Sequence, residues 1–465
     1  MNRTTLFLAT AGGLALLALV AGLPRLTSTG IIPLDPVRPT TTADGSIKMQ
    51  GRLSHPYVGT GRSDVFVTVD LTGVDVPGSE RSPVSLGLVI DRSGSMSGFK
   101  MTQAKNAAKQ LVSQLGPSDR LAIIHYGSDV KSLPSQPATP PNKERMLRYI
   151  DGIWDDGGTN IGAGLSAGRD HLMATMSEYK VNRLILISDG QPTEGVTDQA
   201  GLTSLAREIR QSGISVSSIG VGSDFNEDLM QAIAELGAGA YGYLQDASQL
   251  ATLFQKDLQQ AGTTIARSVV LSFDLPQGVA LSEVLGYRTT QMGRTVRVPL
   301  SDFSAGQVER VVARLTVNAP EAGQTFDVTS LELSYDDLLK SAPVESSVRL
   351  SAMVADKEEQ ILAHRDKDAT VFAARAQSAN NMHKAAEALK RGDRAAATGY
   401  LRANEAIFGA AAHVAGEGAV AEDLLEQKAV ISEFDKADSD EAVQQSVKAT
   451  KSRSLKNFGR IGSTY

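Results

Sequence analysis

The sequence changes character at Asp91-Arg92-Ser93-Gly94-Ser95, where an apolar run over residues 84–90 gives way to turn residues and then to an amphipathic segment. The pattern predicts a buried strand, a turn and a helix. Asp91, Ser93 and Ser95 alternate along the turn and offer only oxygen donors, which suit a hard divalent cation such as Mg²⁺ rather than zinc or copper. Because Asp, Ser and Gly are also ordinary turn residues, this stretch alone is a modest signal.

Two later segments strengthen that signal. Residues 157–160 read Gly-Gly-Thr-Asn between two predicted helices, and residues 184–190 read Leu-Ile-Leu-Ile-Ser-Asp-Gly, a second buried strand that ends in a carboxylate. In an open α/β sheet, ligands bind at the carboxyl ends of the strands, which share one edge. Sequence order therefore places Asp91 and Asp189 on the same edge of the predicted sheet.

These segments together resemble a von Willebrand factor type A domain over about residues 84–260. Its metal-ion-dependent adhesion site is written as D-x-S-x-S, then a Thr, then an Asp at the end of a later strand. The runs 221–230 and 239–243 also resemble bacterial members of the family. The positions that match the site motif are Asp91, Ser93, Ser95, Thr159 and Asp189.

The resemblance implies a function as well as a fold. It implies that the hydroxyls of Ser93, Ser95 and Thr159 bind the cation directly in the open state, while both aspartates act through water. The expected cation is Mg²⁺, with Mn²⁺ or Ca²⁺ as alternatives. A Glu or Asp of a partner protein would then replace a water on the metal, with no bond made or broken.

Composition excludes several other classes of function. At 465 residues the chain is long enough for two to four domains. The formal net charge of −6 forces no basic face and argues against a nucleic-acid partner. With no cysteine there are no disulfides, catalytic thiols or thiolate metal sites. The six histidines form no metal-binding pair, and no general base is spaced to activate Ser95, so we expect no enzyme.

Residues 1–23 are predicted to be a signal anchor or a signal peptide. Residues 4–23 carry no charge and follow Arg3, and about 20 apolar residues can cross a bilayer as a helix. Val20-Ala21-Gly22 is a weak cleavage site, so an anchor and a cleaved signal fit about equally well. Both place the chain in the cell envelope outside the cytoplasm, membrane-anchored or secreted. A linker rich in Pro, Thr and Ser follows over residues 24–45.

The rest of the chain divides by its periodicity. Buried strands at 84–90, 121–126, 184–188, 214–220 and 240–244 alternate with helices at 101–115, 143–150, 162–176, 202–211, 227–236 and 247–260, which predicts a doubly wound α/β domain. Strands with period two fill 263–355 and predict an antiparallel β-sandwich. The strands of 46–82 are too few to fold alone, so we expect them to join that sandwich, with the α/β domain of 83–262 inserted between.

The C-terminal part is predicted to be helical over 356–445. Residues 446–465 carry five basic side chains, and a solvated, mobile tail is favoured there over a patch for an anionic partner. Two functions remain open at this point. The first is a metal-dependent module for adhesion or complex assembly on the outer side of a membrane. The alternative is a structural subunit of an envelope complex, in which the metal only stabilises the fold.

Overall fold

The computed structural model describes residues 40–42, 44–76, 82–222, 225–244, 256 and 258–459. The expected membrane segment at 1–23, most of the linker and most of the predicted helix at 247–260 lie outside this part of the chain. Of the helices that are described, none combines the length and apolar character needed to span a membrane.

The central α/β domain is built around a six-stranded sheet, and five complete helices among its described residues cover the two faces; residues 258–262 are helical as well. Its strands are β5 (Val84–Asp91), β6 (Arg120–Tyr126), β7 (Val130–Pro137), β8 (Val181–Ser188), β9 (Ser215–Val221) and β10 (Ala238–Leu244). Its helices are α1 (Phe99–Gln114), α2 (Pro140–Asp151), α3 (Ile161–Met173), α4 (Gln199–Gln211) and α5 (Glu227–Leu236). The strand order is β10-β9-β8-β5-β6-β7, and every pairing is parallel except that of β6 with β7.

Strand β7 was not predicted from the sequence. It contains Pro134 and Pro137, and proline cannot donate a hydrogen bond to a neighbouring strand. Both prolines are tolerated because β7 is the last strand of the sheet and pairs only with β6. Helix α3 also ends earlier than expected, since residues Met176–Glu178 form a separate turn of 3₁₀ helix.

Strands on both sides of the α/β domain in sequence form two further sheets. Before it come β1 (Thr40–Thr42), β2 (Ile47–Leu53), β3 (Tyr57–Gly59) and β4 (Gly61–Gly73). After it come β11 (Thr264–Asp274), β12 (Val279–Leu285), β13 (Thr290–Met292), β14 (Thr295–Pro299), β15 (Phe303–Ser304), β16 (Val308–Ala319), β17 (Thr325–Asp337) and β18 (Ala342–Ala355). One sheet has the order β1-β2-β4-β16-β12, the other β13-β14-β11-β17-β18-β3, with β15 paired to β11. We call these two sheets the two-sheet region.

The N-terminal strands do join strands from beyond the α/β domain. Strand β4 pairs antiparallel with β16 along its whole length, from Gly61 opposite Ala319 to Thr72 opposite Val308. The valines and leucine at alternate positions of β4 are fully buried and pack with residues of both sheets in a single hydrophobic core. Successive residues of a strand point to opposite faces of the sheet, so these alternate side chains all reach the same core.

A chain shortened to begin at residue 84 is expected to aggregate, whereas one that begins at residue 44 stays monomeric. Removal of β4 leaves β16 with an unpaired backbone edge and strips Val65, Val67, Val69 and Leu71 from the core. Size-exclusion chromatography coupled to light scattering measures the difference. Equal monomeric behaviour of both shortened chains would contradict the contribution assigned to β4.

Five α-helices make up the described part of the C-terminal region, with one turn of 3₁₀ helix at Glu417–Ala419. They are α6 (Glu358–Ala363), α7 (Lys367–Lys390), α8 (Arg394–Ala415), α9 (Ala421–Lys436) and α10 (Asp440–Asn457). The interpretation of the basic segment after residue 446 as a solvated, mobile tail is wrong for its described part. Helix α10 extends to Asn457, and Lys451 is only 5 % exposed. The reason is charge pairing across the molecule, because Lys451 lies among acidic side chains of α5 and α7.

Candidate functional site

The two predicted aspartates lie side by side at the carboxyl edge of the central sheet. Strands β5 and β8 are parallel neighbours, with Ile90 opposite Ile187. Asp91 is the last residue of β5, and Asp189 directly follows β8. Both side chains are 0 % exposed. The sheet therefore brings two carboxylates into a buried place where charge is costly.

Local hydrogen bonds hold the Asp91 carboxylate in one orientation. The Ser188 hydroxyl donates to Oδ2 at 2.6 Å, and the Ser93 backbone N–H donates to Oδ1 at 2.9 Å. Burial raises the pKa of Asp91 to about 6; the bonds from Ser188 and Ser93 oppose that rise, and the neighbouring Asp189 adds to it. The site thus holds more negative charge than its hydrogen bonds compensate.

Asp189 has one paired and one unpaired oxygen. Its Oδ2 lies 3.3 Å from the ammonium nitrogen of Lys100, which belongs to the first turn of α1. Its Oδ1 is buried and accepts no hydrogen bond from any residue that the structure describes. A buried carboxylate oxygen without a partner is costly, and a bound cation or its water would satisfy it.

The two serines of the turn stand next to each other. The hydroxyl oxygens of Ser93 and Ser95 are 3.1 Å apart. Ser93 is 1 % exposed, whereas Ser95 is exposed to solvent. Residues Gly94–Met96 form a turn of 3₁₀ helix, and the buried Met96 side chain anchors it in the domain core. The turn therefore presents two adjacent neutral oxygens between the buried carboxylates and solvent.

Thr159 is held by the loop that follows Asp189. Its N–H donates to the Thr193 hydroxyl at 2.9 Å, and its carbonyl accepts from the N–H groups of Thr193 and Glu194 at 3.0 and 3.2 Å. A Cβ at Gly158 would come within 2.3 Å of the Glu194 carboxylate, so a larger residue there would displace that side chain. Thr159 is 2 % exposed, at a fixed position in the second loop of the site.

Arg92 is a site residue that the sequence reasoning missed. It is the largest fully buried side chain of the described part, at 2 % exposed, although an arginine in a turn is usually solvated. Its guanidinium forms an ion pair with Asp129 and donates to the Asp156 carbonyl at 2.9 Å, while its own carbonyl accepts from the Asp156 N–H at 2.7 Å. Arg92 thereby ties three loops together. The only indication of this role in the sequence was its position between Asp91 and Ser93, because the residue between two alternating oxygen donors points to the other side of the turn.

The donor set fits a hard divalent cation. It consists of three hydroxyls and two carboxylates, with no sulfur or imidazole, and it includes the unpartnered Asp189 Oδ1. Another acidic cluster, formed by Glu227, Asp228 and Glu387, is instead occupied by the Lys451 ammonium. The predicted site is the better candidate for a metal.

His125 has no catalytic environment. It lies near the end of β6, and its ring packs against Tyr149 with the centroids 5.5 Å apart. Burial, together with the charges of Arg92 and Lys131, lowers the pKa of His125 to about 4. The ring is therefore neutral at physiological pH and belongs to the packing of the sheet.

Exposed apolar side chains flank the site on each of its loops. Phe99 is 69 % exposed, Trp154 is 67 % exposed and Val196 is 42 % exposed. Phe99 follows Gly98, whose φ of 70° favours glycine and fixes the direction in which α1 begins. Trp154 follows Ile153, which is buried in the core. Large apolar groups on fixed loops around a polar site are typical of protein-binding surfaces.

Comparison with known proteins agrees with the fold. The sequence profile of the von Willebrand factor type A domain matches residues 86–256. The uncharacterized protein YfbK of Escherichia coli strain K12 is 29% identical over 282 residues, which cover 59% of this chain and 48% of YfbK. Inter-alpha-trypsin inhibitor heavy chain H2 of Mus musculus is 30% identical over 267 residues, covering 55% and 27% of the two chains. The chain thus spans about half or less of these curated relatives.

Two solved structures match nearly the whole chain. A von Willebrand factor type A protein from Catenulispora acidiphila superposes with a TM-score of 0.66 at 15% identity, covering 88% of this chain and 97% of that one. The ArnB paralog VWA2 from Sulfolobus acidocaldarius gives a TM-score of 0.57 at 19% identity, covering 88% and 99%. At such identities the likeness shows the fold alone, and it extends beyond the α/β domain.

Proposed function

Residues 86–256 form a von Willebrand factor type A domain, and from this we propose that the chain is a Mg²⁺-dependent protein-binding module that captures a partner carboxylate. Domains of this type generally mediate protein–protein interaction or adhesion. The observation that supports metal dependence is the buried Asp189 Oδ1, which has no partner among the described residues and lies beside a second buried carboxylate. Location on the outer side of a membrane, in adhesion or complex assembly, is part of the same proposal.

The hydroxyls and the carboxylates of the site would have different roles. Ser93, Ser95 and Thr159 would hold the cation through neutral hydroxyls, and Asp91 and Asp189 would orient its waters. When bound, the cation supplies a positive charge with exchangeable water that an incoming carboxylate can replace. Because three of the five donors are neutral, they leave much of that charge available toward solvent.

The side chains around the metal ligands would determine which partner protein binds. Phe99 and Trp154 offer large, rigid apolar surface, and such residues dominate binding energy at interfaces. The alternative is a structural role, in which the metal only stabilises the fold. The two readings differ in one respect: a structural metal requires no partner carboxylate.

Two peptide pools that differ at one position test the proposal. Each pool has random flanking residues, with a central Glu in one and a central Gln in the other, immobilised on matched surfaces. The full chain is expected to bind the Glu pool in Mg²⁺ and to lose that binding in EDTA, while the Gln pool binds weakly in both. Trp154→Ala should reduce binding to the Glu pool by about tenfold or more without changing Mg²⁺ affinity.

The structural alternative has its own signature. If the metal only stabilised the fold, EDTA would lower the thermal unfolding temperature while Glu and Gln pools bound equally. That result would refute carboxylate capture.

A further inference from the structure

A large cavity lies at the edge of the central sheet opposite the candidate metal site. It has a volume of about 1380 Å³ and is lined by residues that precede β8 and β9 and by Ala238 at the start of β10. Its other wall comes from β11, β14 and the connection between β12 and β13. Because β8 and β9 run parallel, the metal site at their carboxyl ends and this cleft at their amino ends are on opposite edges. We call it the interdomain cleft.

Basic side chains outnumber acidic ones in the lining. The basic residues are Lys180, Arg207, Arg210, Arg267, Arg288 and Arg297, and the acidic residues are Glu178, Asp302 and Asp336. Arg288 is paired with Glu235, at 2.9 Å. The cleft therefore carries an excess of positive charge although the whole chain has a net charge of −6.

That excess is concentrated around one carboxylate. Burial raises the pKa of Asp302, and the nearby charges of Arg183, Arg210 and Arg267 oppose that rise, so three guanidinium groups lie around a single acid. Arg210 is half-buried, so its guanidinium has lost part of its hydration, and this burial lowers its pKa. A poorly hydrated cation attracts an anion more strongly than one in bulk water.

Two further arginines at the cleft are exposed and unpaired. Neither Arg207 nor Arg297 makes a side-chain hydrogen bond or ion pair with any residue that the structure describes. They come from α4 and β14, on opposite walls of the cleft. The planar donor fork of an arginine matches phosphate and carboxylate geometry, so each is available to a ligand.

The walls of the cleft are held in place by the protein itself. Arg210 donates to the carbonyls of Leu300 and Val269 at 3.0 and 3.4 Å, and Arg267 donates to the Lys180 carbonyl at 3.0 Å. These bonds join the α/β domain to the two-sheet region across the base of the cleft. A preformed cavity loses less entropy when it binds than one that must close around its ligand.

The backbone at the cleft adopts an uncommon conformation twice. Ala238 has φ 55° and Ser268 has φ 56°, and they are two of the three non-glycine residues in the described part with positive φ. Both line the cleft. The register of β11 against β17 shifts between Arg267 and Val270, so Ser268 lies in a bulge. Strained residues and bulges cluster at functional sites.

We infer that the interdomain cleft binds a ligand carrying two or more anionic groups, such as clustered phosphates or carboxylates. Arg207 and Arg297 would bind the ligand from opposite walls, and the arginines around Asp302 would supply the positive field between them. The apolar side chains Ile214, Val270 and Pro299 line the same cavity and would contact the uncharged part of the ligand. This site is separate from the metal site and does not depend on it.

Isothermal titration calorimetry of the full chain with sodium tripolyphosphate, citrate and inorganic phosphate tests the inference. The titrations are run at low ionic strength on a chain passed over a chelating resin, so that neither a metal nor a free chelator contributes. Tripolyphosphate is expected to bind at one site, more tightly than inorganic phosphate, because it can contact both walls. Citrate shows whether clustered carboxylates serve as well as phosphates, and Asp91→Ala should leave the affinity unchanged.

A charge-matched pair of variants locates the binding. Arg207→Gln with Arg297→Gln is expected to weaken tripolyphosphate binding at least about tenfold, since the ligand then loses a charge-assisted hydrogen bond from each wall. The control combines Arg145→Gln with Arg402→Gln, two exposed arginines on α2 and α8, and should bind as the unaltered chain does. Absence of tripolyphosphate binding to the unaltered chain, or equal weakening in both double variants, would overturn the inference.

Discussion

Replacing Asp91 with alanine is expected to weaken Mg²⁺ binding by about 10–100-fold, because Asp91 acts on the cation through water in the proposed site and loss of such an outer partner costs about that much. Asp91 accepts two hydrogen bonds that fix its orientation, at 2.6 and 2.9 Å, and its charge sits beside Asp189 in a fully buried place. The fold should survive, since burial already disfavours this carboxylate and raises its pKa to about 6.

Calorimetric titration of Mg²⁺ into the full chain measures the effect, with far-UV circular dichroism to follow the fold. Thr159→Ala tests the same site from its second loop without removing charge, and it should weaken binding too. Asp435→Ala, an exposed carboxylate on α9, is the matched control and should change nothing. Unchanged Mg²⁺ affinity in both site variants would refute the assignment of the metal ligands.

Replacing Lys451 with methionine is expected to lower the free energy of unfolding by about 3–5 kcal/mol, the cost of breaking a buried ion pair by removing one partner. The Lys451 ammonium lies 2.7 Å from Glu227, 3.1 Å from Asp228 and 2.6 Å from Glu387. Glu227 is 6 % exposed and would keep an uncompensated charge. Helix α10 should then detach from α5 before the rest of the chain unfolds.

Urea unfolding followed by circular dichroism gives the change in stability. Lys428→Met, on an exposed face of α9, should stay within about 0.5 kcal/mol of the unaltered chain. Adding Glu227→Gln to Lys451→Met should recover part of the loss, because it removes the stranded charge. A destabilisation by Lys451→Met no larger than that of Lys428→Met would show that the ion pairs add little.

The pH dependence of the stability that Lys451→Met loses follows from the pKa shifts around Lys451. Burial disfavours the charged form of Lys451, but its hydrogen bonds to Glu227 and Glu387 outweigh burial and raise its pKa. The stability that Lys451 contributes is therefore complete below about pH 10.4, the ordinary lysine pKa, and is lost as the pH rises above it. The pKa of Asp228 is lowered despite its burial, so its contribution is lost only as the pH falls below about 3.9. The difference in stability between the two chains should be flat from about pH 7 to 9. It should narrow below about pH 6.5, the ordinary histidine pKa, because burial and the charge of Lys451 lower the pKa of His383 and the variant lacks that charge.

Much of the α/β domain was predictable because its signals are local. An apolar run followed by turn residues identifies a strand end within about ten residues, and the parallel pairing of β5 with β8 then brings Asp91 next to Asp189. The predicted strands and helices of this domain differ from the observed ones mainly by a few residues at their ends. Strand β7 was missed because its two prolines do not fit a typical strand pattern.

Features that depend on long-range contacts were not predictable in the same way. From the sequence alone, Arg92 is expected to be a solvated turn residue. In the structure, two other loops place Asp129 and Asp156 beside it. The basic stretch after residue 446 is expected from its sequence to be a mobile tail. In the structure, Lys451 binds Glu227, which lies more than two hundred residues earlier in the chain. The interdomain cleft exists only because α4 and β14 lie opposite each other.

The sequence by itself therefore determined the α/β domain and the oxygen donors at the ends of its strands, since periodicity and motif spacing are properties of neighbouring residues. Only the tertiary structure decided which charges are buried. It placed Arg92 beneath the loops of the candidate metal site, enclosed Lys451 among carboxylates and gathered arginines from separate strands and helices into one cleft. The physical reason is that the energy of a charge depends on its solvation and on its nearest opposite charge, and both are set by residues far away in sequence.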